Sequence, residues 1–286
     1  MRKGSASPMS AKVYTAESPL RYPVQFLQES AQDLVVSEPF ARRLFRQLIA
    51  QRYRRSSLGL LWAFAPPIIT TLFLALSRHS APTSTVSIAP ALYAVFGLLM
   101  AQTFLETFFT QRTIFSTNRI LIGRQRSTVE ALVLAGLYDG LFGLAIKAAI
   151  VVGFMIAYHT APTSTLPLGL LGIGVIFLLG SGLGLCFAPL SAINTDVDKI
   201  LAFLPWLLFG LTPVFAPAVA GSGMSRIYNA NPFTWIFDAV RGLVFGPAHG
   251  QIAMLSTFLM ISIFVLPAAL LFCRIARPHV VERLLD

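Results

Sequence analysis

Apolar residues are gathered in long runs that short polar segments separate. Stretches without a charged residue cover positions 56–77, 159–195, 200–225 and 242–273. Each is longer than the ~20 residues that an α-helix needs to cross the hydrocarbon core of a bilayer. The pattern predicts an all-α integral membrane protein with six transmembrane helices, at residues 57–77, 88–110, 129–157, 166–190, 199–219 and 251–273.

The segment before the first run has a different pattern. Apolar residues between Phe40 and Tyr53 recur at helical spacing, which predicts an amphipathic helix on the membrane surface, assigned to residues 31–56. Six arginines fill much of its polar face: Arg42, Arg43, Arg46, Arg52, Arg54 and Arg55. Residues 1–30 are rich in Ser, Pro and small polar residues and are predicted to be a mobile tail. The transmembrane domain then covers 57–275, and 276–286 form a second tail.

Composition agrees with a membrane protein, and the placement of charge predicts its orientation. Charged residues make up 12% of the chain, about half the ~25% of soluble domains. With a cytoplasmic N-terminus, 18 of the 22 Lys and Arg residues fall on the inner side. Such asymmetry is typical of cytoplasmic loops, so both termini are predicted to be cytoplasmic. The net charge of +10 therefore reflects topology and does not indicate a nucleic-acid partner.

No motif for catalysis, nucleotide binding or metal binding is found in the sequence. There is no Gly-x-x-x-x-Gly-Lys-Ser/Thr loop for phosphates, and the histidines and two cysteines lack ligand spacing. The glycine-rich run at 180–184 is interpreted as helix packing. A seven-residue similarity between 79–85 and 159–165 indicates either a duplicated helix pair or coincidence.

Charged residues inside predicted spans are costly and therefore informative. Glu106 and Glu130 lie near the inner ends of their spans, and we expect structural ion pairs with Arg112, Arg124 or Arg126. Asp139 lies deeper, where it either faces a polar conduit or pairs with Lys147. Too few acidic partners surround these residues for a proton relay.

Aromatic residues on the first and fifth spans form two stripes, which are the candidates for lining a channel: Trp62, Phe73, Phe203, Trp206 and Phe209. Their flat rings suit the C–H faces of sugars. Contact with lipid and anchoring at the membrane interface are the alternative, which periodicity alone favours. Prolines at 66, 67, 205, 213 and 217 interrupt both helices, which is tolerated where a helix lines a cavity.

Three segments carry a resemblance to a known family. They are Gln51–Trp62 (QRYRRSSLGLLW), Thr212–Pro217 (TPVFAP) and Asn231–Arg241 (NPFTWIFDAVR). In their order and placement they resemble the permeases of ABC-type polysaccharide exporters, which handle O-antigen, capsule and teichoic acid. With the six-span layout, the resemblance extends over residues 40–275.

The resemblance implies a homodimer of six-span subunits that forms a continuous channel. Two copies of a separate ATPase dock on the cytoplasmic side, and ATP and Mg²⁺ bind there, so this chain has no cofactor of its own. A coupling helix within 113–126 is expected to contact the ATPase through Arg119, Ile120, Ile122, Arg124 and Arg126. Short helices between spans five and six, at 220–241, are expected to form an outer gate with Phe215, Asn231, Pro232, Trp235 and Arg241. Within this region, Asn231-Pro232 is expected to end one helix and begin another.

The expected function is that of a transport subunit, not an enzyme. It translocates a lipid-linked, O-antigen-like polysaccharide across the bacterial inner membrane, with membrane lipids around it. An ABC exporter of lipids or small amphiphiles is one alternative, distinguished by lateral openings and a mostly closed axis. A membrane glycan-lipid transferase is another, but the required cluster of acids, bases or histidines near one interface is not evident.

Overall fold

All regular secondary structure that the computed structural model describes is α-helical. The described residues are 23–54, 64–78, 89–123, 128–161, 163–217, 223–246 and 251–285. They contain the helices α1 (Pro23–Tyr53), α2 (Ala65–Arg78), α3 (Pro90–Arg112), α4 (Ile114–Thr117), α5 (Arg119–Gly123), α6 (Val129–Ala157), α7 (Leu166–Ile193), α8 (Thr195–Leu201), α9 (Leu204–Leu211), α10 (Gly223–Ala230), α11 (Pro232–Phe245) and α12 (Gln251–Leu285).

Four of these helices are long and apolar enough to cross a membrane: α3, α6, α7 and most of α12. They coincide with the second, third, fourth and sixth predicted spans. The prediction of an all-α membrane protein is confirmed at this level. We call the end of the bundle that holds α4, α5 and α8 the charged end, and the end that holds α10, α11 and residues 158–165 the α11 end.

The centre of the bundle is the packing of α3 against α7, which glycines make close. A Cβ atom at Gly180 would lie 2.6 Å from the carbonyl oxygen of Phe104, and one at Gly184 would lie 2.2 Å from that of Phe108. Only a residue without a side chain allows the backbones to approach so closely. The interpretation of the 180–184 run as helix packing is therefore confirmed.

Two clusters of buried apolar side chains lie along this axis. The first joins α3 and α7 to α11 and contains Phe96, Phe104 and Phe237. The second lies at the charged end, where α1, α4, α6, α7 and α12 meet around Phe115 and Leu185. Each end of the bundle thus has its own packed core, which holds the short helices there in fixed positions.

The fifth predicted span differs from the expected continuous helix, and the first lies only partly within the described residues. Of residues 57–77, positions 57–63 lie outside the described residues, and α2 begins at Ala65. The fifth span, predicted at 199–219, is divided into α8 and α9. Ala202 and Phe203 keep right-handed helical angles, but Pro205 has no N–H to donate to the preceding turn, so the helix is interrupted there. α9 ends at Leu211, before Pro213, because a residue preceding proline disfavours the helical conformation.

The two helices near the chain ends are longer than predicted. α1 begins at Pro23 rather than at residue 31, and α12 continues to Leu285, through most of the predicted tail. Arg274 of α12 joins the two helices to the bundle, because it forms ion pairs with Asp33 of α1 at 2.9 Å and Glu130 of α6 at 3.2 Å. Both terminal helices are thereby fixed to the bundle.

Candidate functional site

Each of the four charged residues that sequence analysis placed within spans has an ion-pair partner on a different helix. Lys147 of α6 pairs with Glu106 of α3. Two arginine N–H groups of Arg52 donate to the carboxylate of Asp139, at 3.1 and 3.0 Å. The pair of Asp139 with Lys147, one of the two alternatives given for Asp139, is not formed, because eight residues along one helix do not bring the two side chains to the same face.

Neither glutamate pairs with Arg112, the one expected partner that lies among the described residues. Glu130 pairs with Arg274, and Arg112 pairs with Asp198 of α8 rather than with a glutamate. Arg124 and Arg126 lie outside the described residues. These partners are far apart in sequence, so proximity along the chain did not identify them.

The position of the Arg52–Asp139 pair indicates how deep the other charges lie. From Asp139 to the end of α6 at Ala157, the helix rises about 27 Å. This nearly equals the ~30 Å hydrocarbon thickness of a bilayer. The amphipathic helix α1 contacts α6 at the start of this stretch, so we infer that the membrane begins near Asp139. Lys147 then lies about 12 Å inside it, near the midplane.

The channel candidates on α9 form an uncovered aromatic surface. Trp206 is 78% exposed and Phe203 is also largely exposed, whereas Phe209 is half-buried and stacks on Phe215 with ring centroids 5.6 Å apart. Phe73 of α2 is exposed as well. Trp62 lies outside the described residues. In the single chain these rings therefore face lipid, a second protein surface or a translocation pathway.

Where α9 ends, a buried arginine binds the following loop. The Arg241 side chain is 4% exposed, and its two terminal nitrogens donate to the carbonyl oxygen of Val214 at 2.8 Å and to the hydroxyl of Tyr93 at 2.9 Å. Its guanidinium also lies 3.9 Å from the centre of the Tyr93 ring and forms an ion pair with the more exposed Asp238. Burial lowers the pKa of Arg241, and Tyr93 and Asp238 oppose this effect. We call Tyr93, Val214, Asp238 and Arg241 the Arg241 latch.

Gly97 of α3 leaves the space that the latch occupies. A Cβ atom at this position would lie 2.1 Å from the carbonyl oxygen of Val214 and 2.2 Å from an Arg241 nitrogen. Any larger residue would displace one of the two. The latch therefore joins three elements at one point: α3, α11 and the loop after α9.

A second connection between α9 and α11 comes from Asn231, which was predicted to separate two helices. Its side-chain oxygen accepts from the N–H of Phe233 and so caps α11, in agreement with the prediction that Asn231-Pro232 ends one helix and begins another. Its side-chain nitrogen donates to the carbonyl oxygen of Leu211 at 2.7 Å. Trp235 donates its indole N–H to Asn229, which joins α10 to α11. Asn231 thus caps one helix and holds the end of another.

Residues 159–165, the second of the two similar seven-residue segments, contact the C-terminal end of α11. The hydroxyls of Thr163 and Thr165 donate to the carbonyl oxygen of Leu243 at 2.7 and 2.6 Å. The last carbonyls of a helix lack partners within the helix, so these hydroxyls complete its C-terminus. The first copy, at 79–85, lies outside the described residues.

The predicted coupling helix consists of two short helices, α4 and α5. Some of their side chains are buried in the bundle and others are exposed on its surface. Arg119 and Ile120 project outward, and Ile120 is 69% exposed. Ile122 is only 2% exposed and packs in the apolar cluster of the charged end. Its prediction as a contact for another protein is therefore wrong, because it holds α5 to its own chain. Arg124 and Arg126 lie outside the described residues.

The amphipathic helix α1 agrees with its predicted character. Five of its arginines are exposed, namely Arg42, Arg43, Arg46, Arg52 and Arg54, whereas Arg55 lies outside the described residues. On its inner side, Phe45 packs against Tyr138 and Phe142 of α6. The helix therefore presents a basic surface, while part of its apolar face packs against α6.

A cavity of about 790 Å³ lies in the groove between α6 and α7, with α3 as its back wall. Its lining is mostly aliphatic and includes Leu99, Val151 and Ile173. Lys147 lies at one end, and His159 and Thr160 lie at the other, near the α11 end. Sequence patterns did not indicate this cavity, because its lining comes from α3, α6, α7, α11 and residues 159–161, which are far apart in the sequence.

Sequence analysis also missed three residues of the contacts described above. Tyr93 and Asp198 bind arginine side chains, and Gly97 leaves room for Arg241. Tyr93 and Gly97 are four residues apart on α3 and therefore share one helical face. That spacing was the available signal, but nothing along the chain relates it to Arg241. Asp198 lies in an acidic turn, which is ordinarily a solvated surface.

Comparison with known proteins gives one positive finding. Residues 41–245, most of the chain, match the family model described as ABC-2 type transporter. No curated protein matched the chain. The matched region contains α3, α6 and α7, the Arg241 latch and the coupling segment, residues 113–123. The chain belongs to the ABC-2 type transporter family and is a membrane subunit of an ABC transporter.

Proposed function

We propose that the chain is the permease subunit of an ATP-driven exporter of a lipid-linked, O-antigen-like polysaccharide in the bacterial inner membrane. Two copies form the channel, and two copies of a separate ATP-binding subunit drive it. The residues of this chain bind the polymer and transmit movement, whereas ATP and Mg²⁺ bind in the partner subunit. The charged end faces the cytoplasm, with both chain termini, and the α11 end faces outward.

Six spans are part of this proposal. The first is α2 together with the residues before it, and the fifth is α8 with α9. Together α8 and α9 run for 17 residues from Thr195 to Leu211, which corresponds to a rise of about 26 Å. An interrupted helix is tolerated in a membrane where it lines a cavity or contacts other protein. This supports the placement of α9 against a channel rather than in bulk lipid.

The observation that carries the proposal is the uncovered aromatic surface of α9, because polar contacts hold the α8–α9 segment at both ends. At the charged end, Asp198 pairs with Arg112, which directly precedes the coupling segment. At the α11 end, Asn231 and the Arg241 latch hold residues 211–214. Aromatic faces bind the C–H surfaces of sugars without directional bonds, so a polymer can slide along them.

Glu106 gives a second reason to place a polar pathway or a second subunit beside this chain. Its side chain is 55% exposed although Lys147, its partner near the midplane, is only 5% exposed. A carboxylate that faces hydrocarbon at this depth is costly. Water in a channel, or contact with a second copy, removes that cost. The exposure of Glu106 therefore supports a homodimer with an internal pathway.

We infer that the partner ATPase docks at the outward-facing side of α5. Arg119 and Ile120 are available there, whereas Ile122 anchors the segment from inside. Closure of the ATPase around ATP would move the coupling segment, and the Arg112–Asp198 pair lies between that segment and α8. This arrangement links nucleotide binding to the aromatic surface of α9.

The test of the proposed function starts from the tagged chain, purified from its own cells with whatever ATP-binding subunit accompanies it. After reconstitution in proteoliposomes, ATP-dependent movement of extracted lipid-linked glycan is measured. An Arg119→Ala, Ile120→Asp double variant is expected to lose both co-purification and transport. Arg43→Ala, at an exposed position of α1, is the matched control and should retain both. Transport by the double variant at the wild-type rate would overturn the docking site.

The cavity between α6 and α7 supports a second candidate, an exporter of lipids or small amphiphiles. Lateral openings are the feature expected of such a protein, and Val152 and Ile156 of the cavity lining are exposed. In the same proteoliposomes, ATP-dependent movement of a fluorescent phospholipid without movement of glycan would favour this candidate. The third alternative, a glycan-lipid transferase, finds no supporting feature among the described residues.

A further inference from the structure

We propose that the cavity between α6 and α7 binds one hydrocarbon tail of a phospholipid from the membrane leaflet at the α11 end. This proposal does not depend on which substrate the transporter exports. It requires only that α6 and α7 cross the membrane. The cavity then forms a fixed lipid site within the protein, separate from the aromatic surface of α9.

The length and position of the cavity match one leaflet. Lys147 lies toward one end of the cavity and His159 at the other. From Lys147 to the end of α6 at Ala157 the helix rises about 15 Å, and His159 follows two residues later. One leaflet contributes about half of the ~30 Å hydrocarbon core, or ~15 Å. The cavity therefore extends from the level of the lipid head groups at His159 to the midplane at Lys147.

The chemistry of the lining changes along that length in the way an acyl chain requires. Between the two ends the walls are apolar, with Met100, Val151 and Ile173 among the lining residues. Hydroxyl, imidazole and backbone groups occur at His159 and Thr160, the level at which a phosphate head group lies. Water has almost no polar partners in the middle of such a cavity, so hydrocarbon is the favoured occupant.

Access to the cavity is from the side. Val152 and Ile156 of α6 and Leu170 of α7 line it and are each more than half exposed. They therefore mark a mouth between the two helices on the surface of the bundle. The volume of about 790 Å³ is within the ~300–1,000 Å³ range of small-ligand sites.

The same dimensions favour a phospholipid over a long polyprenyl carrier. The charged pair of Lys147 and Glu106 lies at the midplane end of the cavity. An acyl chain of ordinary length ends near that level, whereas a polyprenyl tail would have to continue past a charged pair. Desolvating the pair against more hydrocarbon is unfavourable.

The test uses a phosphatidylethanolamine probe with a diazirine in the middle of one acyl chain. The probe is incorporated with the full-length protein in nanodiscs, and photolabelled residues are identified by mass spectrometry. Met100 and Val151 are buried and line the cavity, so lipids around the protein do not reach them. Labelling of these two residues in the wild-type protein is the expected result.

Two tryptophan variants of α7 provide the specificity control. Leu170→Trp fills the mouth, whereas Leu171→Trp changes the next residue, which is similarly exposed and lies outside the cavity lining. Excluding even two methylenes of the chain predicts about tenfold lower labelling of the buried residues in the first variant. Labelling in the second variant should equal that of the wild type.

Three results would overturn the proposal. One is the absence of label on Met100 and Val151 in the wild-type protein. Another is equal labelling in Leu170→Trp and Leu171→Trp. The third is loss of label when polyprenyl phosphate is added at a level where added phospholipid has no effect, which would identify the carrier as the occupant. Glycan transport plays no part in any of these readouts, so failure here is distinct from failure of the proposed function.

Discussion

Replacing Arg241 with methionine removes the buried charge of the latch while keeping a long apolar side chain. In the native chain, the guanidinium donates to the carbonyl oxygen of Val214 and the hydroxyl of Tyr93. Hydrogen bonds from a charged group contribute about 1.5–3 kcal/mol each. Methionine supplies neither, and it leaves the Val214 carbonyl without its donor. We therefore expect Arg241→Met to lower the free energy of unfolding by about 3–5 kcal/mol, the range for breaking a buried charged contact.

Asp238 provides the matched control within the same latch. Its side chain is 54% exposed, and it is only one of the three groups that Arg241 contacts. Removing it leaves the guanidinium bonded to Val214 and Tyr93, so Asp238→Asn should cost clearly less than Arg241→Met.

The assay is reversible unfolding of the purified protein in mixed detergent micelles, followed by circular dichroism. Wild type, Arg241→Met and Asp238→Asn are compared under one set of conditions. Equal stability of Arg241→Met and the wild type would refute the inference that the latch holds α11 to α3. A larger loss in Asp238→Asn than in Arg241→Met would show that the ion pair dominates instead.

Three further predictions use changes at other positions. Gly97→Ala should displace Val214 or Arg241 and lower the unfolding midpoint, whereas Gly153→Ala, which meets no atom within 4 Å, should leave it unchanged or raise it slightly. Glu106→Gln should destabilise the purified protein by about 3 kcal/mol or more, because it leaves the buried ammonium of Lys147 unpaired. Lys147→Met removes that charge and should cost clearly less. Equal losses of stability for the two variants in a thermal scan would contradict this prediction. Asp198→Asn removes the ion pair between α3 and α8, so it should reduce the amount of glycan that the reconstituted complex exports per ATP hydrolysed. An unchanged amount of glycan per ATP would show that this ion pair does not transmit movement to α8.

The sequence was informative where one chemical pattern acts within a single segment. The amphipathic period predicted α1, the apolar runs predicted α3, α6 and α7, and Asn231-Pro232 predicted a helix boundary. The glycine run at 180–184 predicted close packing. Each of these follows from local geometry and burial, so no knowledge of distant residues was needed.

The sequence did not predict contacts between side chains that lie far apart along the chain. Lys147 and Glu106 are 41 residues apart, and Arg241 and Tyr93 are 148 apart. Several basic residues near the charged end were equally acceptable partners for Glu130. Likewise, the helical period in 113–123 did not show which isoleucine faces inward, because that depends on the position of α1, α6 and α12 around it.

The central claim is that this permease carries a lipid-linked polysaccharide out of the cytoplasm, and it is tested most directly in cells that lack the chain. The measurement compares glycan at the cell surface with lipid-linked glycan accumulated inside, in the deletion strain and after complementation with the intact gene. The account predicts loss of the surface glycan, accumulation of the lipid-linked precursor and reversal of both by complementation. Unchanged surface glycan, or its loss without accumulated precursor, would contradict export as the function.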